Sequence, residues 1–198
     1  TMRIRLSPNN AKQVPGAYNI SGNYVEFFPR LPNLPDLSDA GLNPGQTYEI
    51  KLPGYPSANT VTNADGDRLS ATYKATFATA VSSSPNLFID YNPDSQPHVV
   101  SVNPKADAVD VPQAITVELT FSEPLHPATV TTSNIEMTLI ERPPGTALSP
   151  VRPIPGQVVL EQSRESVIVR FVPDFPLADN ARYQLDVDRR VTDLVGND

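Results

Sequence analysis

Apolar and polar residues alternate along much of this chain. In AITVELTFSEP, residues 114–124, Ile115, Val117, Leu119 and Phe121 fall on one face while Thr116, Glu118 and Thr120 fall on the other. A period of two is that of a strand with one buried face. The pattern recurs in SVIVRFVP (Val167, Val169 and Phe171 against Ser166 and Arg170), RYQLDV (Tyr183, Leu185, Val187), TYEIKL (Tyr48, Ile50, Leu52) and ATYKATF (Tyr73, Phe77). No window of comparable length carries a capped helical stripe. The short HPATV segment suits a single helical turn with Pro127 at its first position. The chain is therefore expected to be all-β.

The strands come in two sets. YVEFFP at 24–29 matches VIVRFVP at 167–173, and GLNPGQTYEIKL at 41–52 matches PLADNARYQLDV at 176–187. VTNADGD at 61–67 matches VTDLVGN at 191–197, and VPG at 14–16 matches IPG at 154–156. The order of blocks is the same in both halves while the spacers differ, which makes this an internal repeat. The first copy has extra residues in RLPNLPDLSDAG and PGYPSANT, as surface loops allow. Each copy also places a tyrosine six residues after a leucine, Leu42 to Tyr48 and Leu177 to Tyr183. A tyrosine at that corner of a sandwich returns its hydroxyl to upstream backbone while its ring joins the core. The expected fold is two tandem Ig-like or fibronectin-like antiparallel β-sandwiches, at 1–79 and 97–198. A linker at 80–96 joins them, where serine, proline and asparagine concentrate and the alternation lapses.

Composition narrows the partners. The 198 residues suffice for two domains of about 100 residues each. Proline is abundant at 22 and glycine sparse at 9, so the prolines punctuate strands and form no flexible tether. With no cysteine, disulfides, thiolate zinc sites and a cysteine nucleophile are all excluded. A net charge of −7 with no basic cluster beyond Arg189-Arg190 argues against nucleic acid. No apolar run approaches the length of a membrane-spanning helix, and no export signal opens the sequence. Beginning on the strand-like TMRIRL, the sequence reads as an excerpt of a longer protein whose signal lies elsewhere.

From residue 97 onward, PHVVSVNPKADAVDVPQAITVELTFSEPLHPATVTTSNIEM, VIVRFVPDFPLADNARYQLDV and VTDLVGN follow one another in a run that resembles the bacterial Ig-like domain of the S-layer type. The resemblance implies a β-sandwich spacer or binding unit of secreted and surface proteins, without catalytic residues. Three departures stand out. The first half has nothing equivalent to SVNP…FSEP before MRIRL, the second stops at VGND without the closing strand that LSATYKATFAT supplies in the first, and position 126 is histidine where aspartate is usual. Each copy is thus expected to carry an unpaired edge, filled by flanking residues or by strand exchange.

Candidate chemistry is thin. In FSEPLHPATV, Glu123 and His126 stand three apart between two prolines, but an acid/base pair needs a third, orienting group and a pocket. Ser122 beside Glu123 also fits turn chemistry, so the corner reading prevails and no catalytic residue is expected. His98 and His126, without cysteine, are too few for a transition-metal site. Oxygen ligands are more plentiful. Asn63, Asp65 and Asp67 surround Gly66, and Asp193, Asn197 and Asp198 surround Gly196, spacings that approach a calcium loop without completing one. The same residues favour tight turns, and that reading is preferred. No cofactor is expected, with calcium the one worth testing. Tyr18, Tyr55 and Tyr91 are the loop aromatics that could meet a sugar. Function is expected to be that of a non-enzymatic spacer or interaction segment in an extracellular or cell-surface bacterial protein, contacting neighbouring domains of its own polypeptide. The alternative is a glycan- or protein-binding adhesion module, or an accessory domain of an extracellular enzyme.

Overall fold

The structure, a computed structural model, describes residues 3–6, 13–22, 24–81, 96–142 and 146–198. The described residues form strands, one 3-10 turn and no α-helix, as the alternation predicts. The expected linker at 80–96 lies, apart from its ends, outside them. The chain divides into two compact units. The first comprises Thr1–Arg30 with Ala40–Leu87, and the second comprises Leu31–Asp39 with Phe88–Asp198.

Unit 1 contains β1 (Arg3–Leu6), β2 (Gly16–Ser21), β3 (Tyr24–Pro29), β4 (Thr47–Leu52) and β5 (Tyr73–Ala78). β2 and β3 form a hairpin, and β4 is the middle strand of an antiparallel sheet ordered β1-β4-β5. Its core centres on Val14 and Tyr48, with Phe27, Leu42, Ile50 and Phe77 packed around them. Tyr73 was expected to face inward with Phe77. It begins its strand and remains 55% exposed, whereas Phe77 stacks on Tyr48 with ring centroids 5.5 Å apart.

Unit 2 contains β6 (Val99–Asn103), β7 (Val117–Phe121), the 3-10 turn Pro127–Thr129, β8 (Ile135–Arg142), β9 (Thr146–Pro153), β10 (Gly156–Gln162), β11 (Val167–Pro173) and β12 (Arg182–Val187). These make two antiparallel sheets, ordered β10-β11-β7-β6 and β12-β8-β9. Strict alternation on β7 and β11 puts Leu119, Phe121, Val167 and Val169 into one cluster with Ile135 of the opposing sheet. Val117 and Phe171 meet Met137 in a second cluster. Two sheets burying facing apolar rows are a β-sandwich.

Segments that the sequence comparison aligned pair in like register. β2 pairs β3 from Gly16↔Pro29, as β10 pairs β11 from Gly156↔Pro173. A side chain at either glycine would collide with an aromatic ring, Phe27 at 2.6 Å or Phe171 at 2.7 Å, which explains why VPG and IPG share their glycine. β1 stands to β4 as β8 stands to β12: Leu6 lies opposite Tyr48 and Leu139 opposite Tyr183, while Ile4 faces Ile50 and Met137 faces Leu185. RIRL is thus the counterpart of β8, a correspondence the sequence comparison left unassigned. Neighbours differ, however. Val169 is fully buried because β11 lies between β10 and β7, whereas its counterpart Val25 is 42% exposed on β3, which among the described residues pairs with β2 alone.

Candidate functional site

Of the residues singled out for chemistry, Ser122, Glu123, His126, Asp193 and Asn197 lie at one end of unit 2, where the corner after β7 meets the turn after β12, whereas Asn63, Asp65 and Asp67 lie in unit 1. Leu125 and Asp193 form an antiparallel bridge. The His126 N–H donates to Thr192 O at 2.9 Å, and the Thr192 N–H donates to Thr129 Oγ1 at 3.1 Å. Thr129 Oγ1 in turn donates to His126 O at 2.8 Å. The imidazole is fixed as a helix cap, its Nδ1 accepting the Ala128 N–H at 3.2 Å, with Pro127 at the first position of the turn. Aspartate, a common cap residue, would accept the same N–H. Glu123 is 4% exposed, and Ser122 closes the end of β7 by exchanging hydrogen bonds with His98. The trio is a chain corner.

Gln162 locks that corner, a role that no pattern in the sequence pointed to. At the end of β10 its side chain is 5% exposed. Oε1 accepts the Leu125 N–H at 2.8 Å, while Nε2 donates to Leu125 O at 2.9 Å and to Pro32 O. Its backbone N–H donates to Asn33 Oδ1 at 2.8 Å, and the Asp39 carboxylate receives the N–H groups of Asn33 and Leu34. Segment 31–39 is therefore not the plain surface loop expected of the extra residues RLPNLPDLSDAG. It contributes a fully buried Pro32 to unit 2. A local signal was missing because Gln162 and Pro32 lie 130 residues apart.

The two Asx loops resolve into a shared turn. Asp193 is 3% exposed, and its Oδ1 accepts the N–H groups of Val195, Gly196 and Asn197 at 2.9, 2.7 and 2.8 Å. Asn197 Nδ2 donates to Asp193 Oδ2 at 2.9 Å. In unit 1, Asn63 Oδ1 accepts the Asp67 N–H at 2.8 Å and Asn63 Nδ2 donates to Asp67 Oδ2 at 3.1 Å. The amide and the carboxylate have exchanged places, and the amide-to-carboxylate bond survives. Gly66 and Gly196 take φ of +89° and +100°, as this turn requires. Asp65 and Asp198 are exposed. Among the described residues no three His, Cys, Asp or Glu side chains are grouped to hold a metal.

Both tyrosine corners form. The Asn43 N–H donates to Tyr48 Oη at 2.8 Å, and the Ala178 N–H donates to Tyr183 Oη at 2.7 Å. Each bond spans five residues, as the equal spacing predicts. With the sandwich, its register and this corner established, family comparison is decisive: a model described as bacterial Ig-like domain matches residues 93–198, more than half of the chain. The chain belongs to the bacterial Ig-like domain family. No curated protein and no solved structure matches it.

Bacterial Ig-like domains are accessory modules, and the remaining candidates of this one are dispersed. Tyr18 lies within β2 against Phe27, ring centroids 4.9 Å apart, so it is no loop residue. Tyr55 is 64% exposed, and Tyr91 lies outside the described residues. On the outer face of the first sheet of unit 2, Arg170 on β11 pairs with Glu161 on β10 and Glu118 on β7, and these hydrogen bonds raise its pKa, Glu161 contributing most. After β12, the Arg190 guanidinium and N–H hold the Asp188 carboxyl below the usual aspartate range. The Ser38 hydroxyl and N–H do the same for Asp36. No helix among the described residues is long and apolar enough to cross a membrane. A cavity of about 1330 Å³ does open in unit 2, between β6 and β12, lined by Val102, Leu119, Met137, Tyr183 and Leu185 among others.

Proposed function

We propose that the chain is a non-catalytic spacer and interaction segment, of the S-layer type, in a secreted or surface-attached bacterial protein. It would hold two copies of one module connected through residues near 80–96, with neighbouring domains of the same polypeptide as its partners. The observation that carries the reading is where its chemically capable groups are spent. His126 caps a turn, Asp193 binds three backbone N–H groups, and both corner tyrosines accept one. A catalytic centre instead leaves its acid, base or nucleophile facing a substrate cavity.

A panel of glycoside, peptide and ester substrates, run beside a glycan array, tests the proposal. No turnover and no saturable glycan are expected. Hydrolysis that disappears in Glu123→Gln would overturn it, and saturable glycan binding lost in Tyr55→Ala would replace the spacer with an adhesion module.

A further inference from the structure

We infer that Asp65 is a site of spontaneous main-chain modification, where attack by the Gly66 nitrogen turns aspartate into isoaspartate and loosens the Asx turn of unit 1. The chemistry belongs to the pair of residues. The Gly66 nitrogen forms a bond to Cγ of the protonated Asp65 carboxyl, whose hydroxyl leaves as water with the amide proton, and a five-membered cyclic imide results. Water then opens the ring. Cleavage between the nitrogen and Cγ restores aspartate, whereas cleavage between the nitrogen and the main-chain carbonyl carbon of Asp65 leaves the chain running through Cγ as isoaspartate. One water is lost and one regained, so the step balances without an oxidant, reductant or cofactor.

Several observations select this position. Asp65-Gly66 is the only place in the sequence where glycine follows aspartate or asparagine, and glycine has no side chain to hinder the attack. Asp65 is exposed, and among the described residues nothing bonds to its carboxylate, which is free to swing onto the next residue. A side chain built on Gly66 would meet no atom within 4 Å, so the ring has room. The Gly66 N–H donates to Asn63 O at 3.2 Å, the long end of the hydrogen-bond range. The second copy supplies the contrast. Val195 stands where unit 1 has Asp65, with no carboxyl for the nitrogen to attack. The carboxylate of that turn, Asp193, is 3% exposed and already accepts three N–H groups, that of Gly196 among them at 2.7 Å. Isoaspartate adds one atom to the main chain between Asp65 Cα and Gly66. Asn63 and Asp67 are clasped across this point by the Asn63 N–H on Asp67 O at 3.0 Å, the Asp67 N–H on Asn63 Oδ1 at 2.8 Å and Asn63 Nδ2 on Asp67 Oδ2 at 3.1 Å. A longer chain inside that clasp pulls its partners out of line, so unit 1 carries a mark of age that unit 2 lacks.

The test incubates the intact 198-residue chain for weeks at physiological temperature in mildly acidic buffer made with heavy-oxygen water, then maps its peptides by electron-transfer mass spectrometry. Residue 65 should convert to isoaspartate and carry one solvent oxygen, while Asp67 and Asp193 stay unlabelled. Asp65→Glu, at an exposed position and in need of a larger ring, should abolish both signals. On conversion the calorimetric transition of unit 1 should fall by about 4–8 °C, the shift that loss of one hydrogen bond gives in a domain of this size, and that of unit 2 should stay in place. Absence of isoaspartate at residue 65 in the folded chain overturns the inference. So does conversion at Asp193 to the same extent, conversion that persists in Asp65→Glu, or a converted chain whose unit 1 transition has not moved.

Discussion

Replacing Asp193 by alanine removes one side chain on which the turn 193–197 depends. Four donors are affected: the N–H groups of Val195, Gly196 and Asn197 on Oδ1, and Asn197 Nδ2 on Oδ2. A hydrogen bond to a charged group contributes about 1.5–3 kcal/mol net, but the four cannot simply be summed. Val195 and Gly196 are exposed, so water re-solvates their N–H groups, and three donors share one oxygen. The bonds of the half-buried Asn197 and the bridge of Asp193 to Leu125 dominate, which leaves a cost of about 2–3 kcal/mol. For a unit of roughly 100 residues this lowers Tm by on the order of 10–15 °C. Differential scanning calorimetry is the assay, with the effect expected in the transition of unit 2 alone. Asp193→Asn should also destabilise, because two amide groups then face each other. Adding Asn197→Asp should recover most of the loss by recreating the Asn63/Asp67 order of unit 1. A cost below about 0.5 kcal/mol for the alanine variant, typical of an ordinary surface substitution, would refute the reasoning, as would a double variant no better than Asp193→Asn. Millimolar calcium should leave Tm unchanged, since the carboxylate already holds its donors. A calcium-dependent rise abolished in Asp193→Ala would make this carboxylate a ligand instead.

Tyr183→Phe and Tyr48→Phe should each cost about 1 kcal/mol, read from urea midpoints of the separate transitions, because each removes one hydrogen bond while the ring stays packed. Gln162→Leu should cost about 2–3 kcal/mol by the same measurement, since the Leu125 N–H and the Leu125 and Pro32 carbonyls lose their partner in a buried place. Asp188 is held below its ordinary range by Arg190, so its contribution is present above the unfolded aspartate pKa of about 3.9 and is lost as pH falls through the lower folded value. Asp188→Asn should flatten that part of the acid limb, measured as urea midpoints between about pH 5 and pH 2.

Local periodicity announced β4, β5, β7, β11 and β12, because a half-buried strand writes its burial directly as alternation, whereas β2, β6, β8, β9 and β10 were not read from it. Val117, Leu119, Val167, Val169 and Phe171 all lie in the core. The corner tyrosines were equally legible, since each corner is made within a few residues of sequence. RIRL went unmatched for an opposite reason: it shares with β8 a register against its neighbour and only a few residues of pattern. Tyr73 misled because alternation assigns a face without saying whether that end of the face is covered. Gln162 and Pro32 stayed hidden because nothing local distinguishes a glutamine that clasps distant backbone from one that meets water. At the Asx loops, one composition suits both turn and cation site, and only the positions of the backbone N–H groups separate them.

The placement of residues 31–39 bears on how this protein can be divided. Read from its start, the chain builds part of unit 1, enters unit 2 for nine residues, returns, and only then passes into the rest of unit 2. No single cut separates the two units; three are needed, after residues 30, 39 and 87. A fragment starting near residue 97 would leave the ribosome without Pro32 and Asn33, so Gln162 would keep its bonds to Leu125 and lose the Pro32 carbonyl and the Asn33 side chain as partners. In the nascent chain the order is reversed. The proline that completes unit 2 is synthesised more than a hundred residues before the glutamine that holds it, so unit 2 finishes folding around a piece already made.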